Sequence, residues 1–243
     1  MATKVIVNGA LGRMGSLSSA AIDADPELEL VGRTDKGDDL LAEVKAQKAD
    51  VVVDFTVASV CLENAKLIVE AGARPVIGTS GFTEQQVSEV RKVCEKSSVG
   101  GIIAPNFSIS AVLMMKFSAA AVKYMPNCEI IEYHHPGKED SPSGTAIKTA
   151  ELVASSRSAE LETRSEKDIL PGSRGADLNG IKIHALRLPG VIANQEVVFG
   201  GHDETLTIKS DCLSRQAFMP GVCLSCKKVM ELDHLVYGLE NLL

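Results

Sequence analysis

Two adjacent histidines near the middle of the chain have the side chains best suited to proton transfer. His134 and His135 end an apolar stretch, Lys138 follows three residues later, and Ser143-Gly144-Thr145 opens a helical pattern. Imidazole exchanges protons readily because its pKa lies near neutrality. A lysine ammonium and the amides at a helix N-terminus both attract anions. The spacing therefore predicts an anion-binding site with imidazoles that can exchange protons.

Two other interpretations of this segment stay open. Adjacent histidines can bind zinc, but they lack the spacing of a helical zinc motif, and further ligands would have to come from distant parts of the chain. The histidines can also be structural, without any chemistry. His134 and His135 end a predicted strand, so their side chains leave opposite faces unless the backbone turns both toward one cleft.

A glycine-rich turn near the N-terminus, N-G-A-L-G-R-M-G, follows a short apolar strand and opens a helix. Gly9, Gly12 and Gly15 let backbone amides approach a pyrophosphate, and the helix N-terminus adds partial positive charge. The spacing is G-x-x-G-x-x-G, with Ala10 in the place of a glycine of the usual pattern. A plain tight turn between strand and helix therefore remains the alternative.

Asp35 strengthens the dinucleotide interpretation. It ends the second predicted strand, about twenty residues after the third glycine, where an acid accepts hydrogen bonds from an adenosine ribose. A solvated turn acid is the alternative. Arg33 and Lys36 flank it and could hold a ribose phosphate instead, so both NADH and NADPH are expected to bind.

Two later loops, Gly78–Gly81 and Ala104–Phe107, directly follow predicted strands. In a doubly wound sheet the loops at the carboxyl ends of the strands line the ligand crevice. These loops can supply amides and hydroxyls to the nicotinamide end, although ordinary loop chemistry explains each of them equally well.

The order of the elements predicts an α/β fold with two domains. Strands alternate with helices over residues 1–107, which predicts a doubly wound, Rossmann-like parallel sheet. Residues 108–214 contain three late strands without helices between them, which indicates a second α+β domain on an open mixed sheet. Residues 215–243 are predicted as helices, the last at His234–Leu242, that pack back onto the first domain.

The charge balance excludes some classes of partner. The formal net charge is −7 and no run of lysine and arginine is present, which argues against a nucleic-acid partner. No apolar run approaches the roughly 20 residues of a membrane helix, and the N-terminus does not resemble a signal peptide. A cytoplasmic location is therefore expected.

Cys223 and Cys226 form a C-x-x-C pair. A redox pair or half of a zinc site is one interpretation. One turn of a buried helix is the other, and no second C-x-x-C is present to complete a zinc site.

Taken together, the motifs resemble one enzyme family. G-A-L-G-R-M-G, D-F-T, G-T-S-G-F, A-P-N-F-S and E-Y-H-H-P-G-K-E-D-S-P-S-G-T-A occur in this order. The set is similar to the dihydrodipicolinate reductases, also called 4-hydroxy-tetrahydrodipicolinate reductases, of the diaminopimelate route to lysine. The resemblance covers essentially the whole chain.

The resemblance implies hydride transfer from NADH or NADPH to an unsaturated heterocyclic dicarboxylate, with no metal, in a homotetramer assembled through the sheet of the second domain. His134 matches the family's proton donor/acceptor and Lys138 its proton donor. The matching substrate positions are His135, Gly144 and Thr145, with Ser143 beside them. The matching cofactor positions are Gly9, Ala10, Leu11, Gly12, Arg13, Met14, Asp35, Lys36, Gly78, Thr79, Ser80, Ala104, Pro105, Asn106 and Phe107.

Three rival functions remain. A nicotinamide-binding regulator would share the glycine turn and Asp35 but would need no proton donor. A dehydrogenase of another amino acid or semialdehyde, or a metal-dependent hydrolase, would differ in substrate or in metal content.

Overall fold

The computed structural model of the chain describes residues 2–79, 81–158 and 167–243. The chain divides into two compact units. The first unit contains Met1–Ile109 and Arg215–Leu243, and the second contains Ser110–Ser214. Each unit is built around its own sheet.

Up to residue 156, the elements follow one another in the order that the sequence pattern suggests. The helices are α1 Arg13–Ala24, α2 Leu40–Gln47, α3 Ala58–Glu70, α4 Glu84–Ser97, α5 Ile109–Ala121, α6 Gly144–Ser156 and α7 Met219–Lys228. The strands are β1 Thr3–Asn8, β2 Leu28–Thr34, β3 Val51–Asp54, β4 Arg74–Ile77, β5 Gly101–Ile103, β6 Asn127–His134, β7 Ala176–Leu178, β8 Ile181–Arg187, β9 Ala193–Gly200, β10 Thr205–Cys212 and β11 Leu235–Tyr237.

The sheet of the first unit is parallel throughout and has the order β11-β5-β4-β3-β1-β2. Its central strands are almost entirely apolar, and Val5–Val7 and Val51–Val53 are fully buried. Strands with this composition need helices on both faces. The predicted doubly wound sheet is confirmed.

The strand ends of this sheet align at one edge. Asn8 lies opposite both Thr34 and Asp54, Asp54 lies opposite Ile77, and Ile77 lies opposite Ile103. The chain order reverses at β1, which has β2 on one side and β3 on the other. In open parallel sheets, ligands bind at the carboxyl edge beside such a reversal.

The predicted C-terminal helix at His234–Leu242 is wrong. Leu235–Tyr237 forms the edge strand β11, parallel to β5, and the Gly101 amide donates to the His234 carbonyl at 3.1 Å. Gly238 ends the strand with a φ of 91°. The open edge of β5 therefore decides the conformation of this segment, because tertiary pairing outweighs a weak local helical pattern.

The sheet of the second unit is mixed, with the order β10-β9-β6-β8-β7. Among the described residues of this sheet, β6 and β8 form the one parallel pair, and this pairing brings His134 opposite Arg187. α6 packs on β6 and β8. The face of β6 that α6 covers contains Ile130 and, unusually, the fully buried carboxylate of Glu132. The predicted mixed sheet is confirmed.

None of the helices in the part of the chain that the structure describes has the length and apolar character that crossing a bilayer requires.

Candidate active site

The glycine turn after β1 is too tightly packed for side chains. Gly9 has a φ of +78°, and a Cβ placed on it would lie 2.7 Å from the Phe55 carbonyl oxygen. A Cβ on Gly15 would lie 2.1 Å from the Gly9 carbonyl oxygen. Because both residues are glycines, the N-terminus of α1 can lie directly against the turn, as the predicted nucleotide site requires.

The amides of this turn divide into two groups. Those of Gly9 and Ala10 donate to the Thr34 carbonyl, at 2.9 and 3.1 Å, and so they fasten the turn to β2. Arg13 and Met14 begin α1, where amides have no carbonyl partner within the helix. The anion-binding capacity therefore lies at the start of α1 rather than at the first residues of the turn.

Asp35 lies beside the turn, as the spacing predicts. Its carboxylate accepts hydrogen bonds from the amides of Lys36 and Leu11, each at 2.8 Å. The hydrogen bonds from Lys36 and then Leu11 lower the pKa of Asp35. The acid is therefore ionised and held in place, while the side chain of Lys36 is exposed.

Asp54 anchors the loops at the carboxyl edge of the first sheet through hydrogen bonds, a role that the sequence analysis did not predict. Its carboxylate is fully buried at the end of β3 and accepts the side-chain amides of Asn8 and Asn64, both at 2.8 Å. The other oxygen accepts the Thr56 amide and hydroxyl and the Thr79 hydroxyl, at 3.0, 2.7 and 2.9 Å. This one carboxylate therefore ties the end of β1 to the loops after β3 and β4.

The two later loops also lie at the carboxyl edge of the first sheet. Gly78 fits against the rings of Phe55 and Phe107, which pack edge to face with centroids 5.7 Å apart. Ala104 is buried, Pro105 is exposed, and Asn106 accepts the Ser108 amide through its side chain at 2.8 Å. Ser80, predicted as a cofactor residue, lies outside the described residues.

In the second unit, His134 is held by Glu132. Its Nδ1 lies 2.5 Å from Glu132 Oε2, and only 14% of the imidazole side chain is exposed. Because a carboxylate only accepts hydrogen bonds, Nδ1 carries the proton and Nε2 remains for another partner. Burial lowers the pKa of His134, as do the charges of Lys138 and Arg187, and together these outweigh the opposite effect of Glu132.

Glu132 is itself held by a bidentate arginine. Arg187, on β8, donates to both of its oxygens at 2.8 and 3.0 Å, and the Ser143 amide adds a third donor at 3.1 Å. Burial by itself raises the pKa of Glu132, but the hydrogen bonds from Arg187 and His134 lower it more. The carboxylate therefore stays charged in the interior.

Lys138 lies on the turn that follows β6. Its ammonium contacts both oxygens of Asp140, at 2.7 and 2.9 Å, and the Asp140 carbonyl accepts from Arg187 at 2.8 Å. The hydrogen bond from Lys138 lowers the pKa of Asp140. The predicted cation is thus connected to the Glu132 cluster through this turn.

The start of α6 provides the third part of the site. Ser143 caps the helix, since its hydroxyl accepts the Ala146 amide at 3.2 Å, and the side chain is buried. Gly144, the first residue of α6, is exposed and has open space where a Cβ would point, and Thr145 follows it in the first turn.

His135 follows the end of β6, and its carbonyl accepts the Lys138 amide at 3.1 Å, which closes the turn. Among the described residues, no hydrogen bond links its imidazole to the Glu132 cluster. The structure therefore gathers His134, Lys138 and the α6 start into one network and leaves the side chain of His135 outside it.

Cys223 and Cys226 both lie on α7 and are buried. Burial raises the pKa of both thiols. A buried thiol with a raised pKa is a poor nucleophile, as expected for structural cysteines.

Two family models match the chain. The family model described as dihydrodipicolinate reductase, N-terminus, matches residues 3–107, and the one described as dihydrodipicolinate reductase, C-terminus, matches residues 110–243. The chain belongs to the dihydrodipicolinate reductase family. The second match runs past Ser214, so it includes the C-terminal segment that folds with the first unit.

Relatives of this family match the chain over its full length. A 4-hydroxy-tetrahydrodipicolinate reductase of Coxiella burnetii (strain Dugway 5J108-111) is 49% identical over 243 residues, with 100% of both chains covered. One of Legionella pneumophila (strain Paris) is 48% identical with the same coverage. A dipicolinate-bound dihydrodipicolinate reductase from Paenisporosarcina sp. TG-14 superimposes with a TM-score of 0.92 at 39% identity, again over 100% of each chain. The predicted family, reductase activity and NAD(P)H cofactor class are confirmed.

The sequence analysis did not predict the roles of Glu132 and Arg187, which hold His134 in place. Glu132 and His134 are two positions apart on a strand, a spacing that places both on one face and was available as a signal. Arg187 gave no signal, because it lies opposite His134 only through the pairing of β6 and β8.

Proposed function

We propose that the chain reduces 4-hydroxy-tetrahydrodipicolinate to tetrahydrodipicolinate with NADH or NADPH, in the diaminopimelate route to lysine. One observation carries the proposal beyond family membership. A mostly buried imidazole, whose Nε2 has no hydrogen-bond partner among the described residues, belongs to the same hydrogen-bonded network as a lysine and the start of a helix. A dianionic, reducible ring needs these groups.

The first unit fits a nicotinamide dinucleotide. Gly9 and Gly15 leave room only for backbone at the turn, and Asp35 is ionised beside it. We assign the pyrophosphate to the amides of Arg13 and Met14 in the first turn of α1. NAD(P)H supplies the hydride when bound.

We assign the remaining cofactor contacts to the loops at the carboxyl edge of this sheet. Asp35 accepts the hydroxyls of the adenosine ribose, and the exposed Lys36 meets a 2′-phosphate when NADPH binds. The nicotinamide end is assigned to Gly78, Thr79, Ser80, Ala104, Pro105, Asn106 and Phe107, with Leu11 and Gly12 beside the pyrophosphate.

The second unit fits a dicarboxylate. The solved relative from Paenisporosarcina is described as dipicolinate-bound, and dipicolinate carries two carboxylates on one ring. We assign one carboxylate to Lys138 and the first turn of α6, at Gly144 and Thr145. Ser143 acts by capping this turn. His135 is assigned to the substrate because it adjoins the same turn.

His134 is the proposed acid. Hydride addition leaves excess electron density on the conjugated ring, which a proton must neutralise. Nδ1 is hydrogen-bonded to Glu132, so Nε2 gives the proton. The lowered pKa of His134 makes its imidazolium a stronger acid. Lys138 serves as a second donor and as the counter-charge to the carboxylate.

The test is a reductase assay that follows loss of reduced nicotinamide absorbance, with substrate generated by the preceding synthase. We expect turnover with both NADH and NADPH. Cofactor binding without turnover would indicate a regulator instead. Turnover only with another amino acid or semialdehyde would reassign the substrate.

We also propose a homotetramer assembled through the sheet of the second unit. Ile131, Tyr133 and Val198 lie on the face of that sheet opposite α6 and are only partly buried. Apolar side chains that stay partly exposed on a sheet face favour burial against another copy. Sedimentation equilibrium should give four times the monomer mass, and a monomer at micromolar concentration would refute the assignment.

A cytoplasmic location is proposed as well. All six cysteines are free, and five of them are buried. Free thiols are usual in a reducing compartment. Fractionation of cells that express the tagged chain from its own promoter would test this, and recovery outside the cytoplasmic fraction would refute it.

A further inference from the structure

Glu132 is a carboxylate with no solvent exposure whose two oxygens each receive two donors. Oε2 accepts from His134 at 2.5 Å and from Arg187 at 2.8 Å. Oε1 accepts from Arg187 at 3.0 Å and from the Ser143 amide at 3.1 Å. A buried charge costs several kcal/mol unless it is fully paired. The Glu132 carboxylate is fully paired, because each of its oxygens accepts two hydrogen bonds. The donors come from β6, β8 and the start of α6, so the carboxylate joins three elements.

The strand geometry explains how these groups meet. Glu132 and His134 are two residues apart on β6, so their side chains share a face. Arg187 is the register partner of His134 on the parallel strand β8. The guanidinium also donates to the Asp140 carbonyl, and Asp140 contacts Lys138. The ion pair therefore connects the imidazole to the turn that carries the ammonium.

We propose that Glu132, held by Arg187, is the positioning residue for His134 in the proposed reductase reaction. By accepting Nδ1–H it fixes one tautomer and one ring orientation, so that Nε2 alone faces the substrate. Arg187 fixes the carboxylate in turn and keeps its negative charge from being unpaired in the interior. This inference rests on the proposed role of His134 as the acid.

The charges around His134 act in opposite directions. Burial and the charges of Lys138 and Arg187 lower the pKa of His134, and Glu132 raises it. Asp140, paired with Lys138, and the exposed Glu139 are the other charged groups on the turn. Removing the negative charge of Glu132 therefore lowers the pKa of His134 further, because a nearby carboxylate favours the imidazolium.

The decisive variant is Glu132→Gln, which keeps the shape and one oxygen for Arg187 and Ser143 but removes the charge. We expect kcat to fall at least about tenfold, the scale of an impaired general acid, with a smaller change in KM. The alkaline limb of the kcat/KM profile should move to lower pH. In the substrate-free protein, ¹⁵N NMR of His134 should show a lower pKa and a shift of the neutral tautomer from Nδ1–H toward Nε2–H.

Glu129→Gln is the matched control. Glu129 also lies on β6 and also contacts an arginine and a histidine, Arg174 and His184, which are outside the His134 cluster. This variant should leave kcat and the titration of His134 unchanged. If losing any paired glutamate from this strand lowered kcat and shifted the His134 titration, both variants would show the same changes, and the inference would be overturned.

A second variant guards against a folding defect in Glu132→Gln. Arg187→Lys keeps the positive charge but loses the two-point contact, so kcat should fall while Nδ1–H remains the neutral tautomer. Unchanged kcat in Arg187→Lys, or an unchanged His134 titration in folded Glu132→Gln, would overturn the positioning role. The titration needs no turnover, so an inactive wild-type enzyme would count against the proposed function alone.

Discussion

The change Asp54→Asn tests whether one buried carboxylate holds the nucleotide-binding loops together. The Asp54 carboxylate accepts two side-chain amides on one oxygen and three donors on the other. Asparagine places an NH₂ group where one oxygen was. If that NH₂ group faces Asn8 and Asn64, the side-chain NH₂ groups of these two residues point at another donor and both hydrogen bonds are lost. Asn8 cannot simply reverse, because its oxygen already accepts the Thr34 hydroxyl at 2.9 Å.

The expected cost follows from those two contacts. A hydrogen bond to a charged group is worth about 1.5–3 kcal/mol, so losing two costs about 3–6 kcal/mol of unfolding free energy. For a chain of this size, each kcal/mol lowers the melting temperature by about 2–4 °C, which gives a fall of about 6 °C or more. Affinity for the cofactor should fall as well, since Asn8 immediately precedes the glycine turn.

The assay compares melting curves and cofactor titrations of wild type, Asp54→Asn and the control Asp50→Asn. Asp50 accepts one amide, from Lys4 at 2.9 Å, and asparagine keeps an oxygen for it. The control should therefore melt within about 4 °C of wild type, the effect of about 1 kcal/mol. If Asp54→Asn melts no lower than the control, the carboxylate does not hold these loops and the reasoning is refuted.

Three further outcomes are expected. Gly15→Ala should weaken cofactor binding and lower the melting temperature, because its Cβ would lie 2.1 Å from the Gly9 carbonyl oxygen; unchanged titration and melting curves would contradict the packing. Gly144→Ala should melt like wild type, since open space surrounds its Cβ, but should raise KM for the dicarboxylate; an unchanged KM would remove the substrate from the α6 start. In the wild type, the decline of kcat at alkaline pH should occur at higher pH than the decline of kcat/KM. Burial lowers the pKa of His134 in the free enzyme, whereas a bound dianion raises it. If both parameters decline at the same pH, the result would argue against His134 as the acid.

The parallel sheet of the first unit was predictable because its signals are local. Val51–Val53 is apolar at every position, and the glycine turn after β1 needs no distant partner to be recognised. The end of the chain was different. Leu235–Tyr237 becomes a strand only because β5 offers an open edge, so its local helical pattern misled the prediction.

The site was predictable only in part, for a similar physical reason. His134 and Lys138 lie within one short segment, and their residue types and spacing are enough to indicate proton-transfer chemistry. Arg187 lies 55 positions after Glu132 in the sequence and reaches it only through strand register. Ser143 stays a predicted substrate residue, and the structure adds that its hydroxyl caps α6 by accepting the Ala146 amide.

The central claim is that His134 gives the proton that completes reduction of the ring. The most direct measurement is the turnover number of His134→Gln with synthase-generated substrate, alongside its cofactor dissociation constant. We expect turnover to fall by roughly 100-fold or more while the cofactor binds as in wild type. A turnover number equal to that of wild type would contradict the claim.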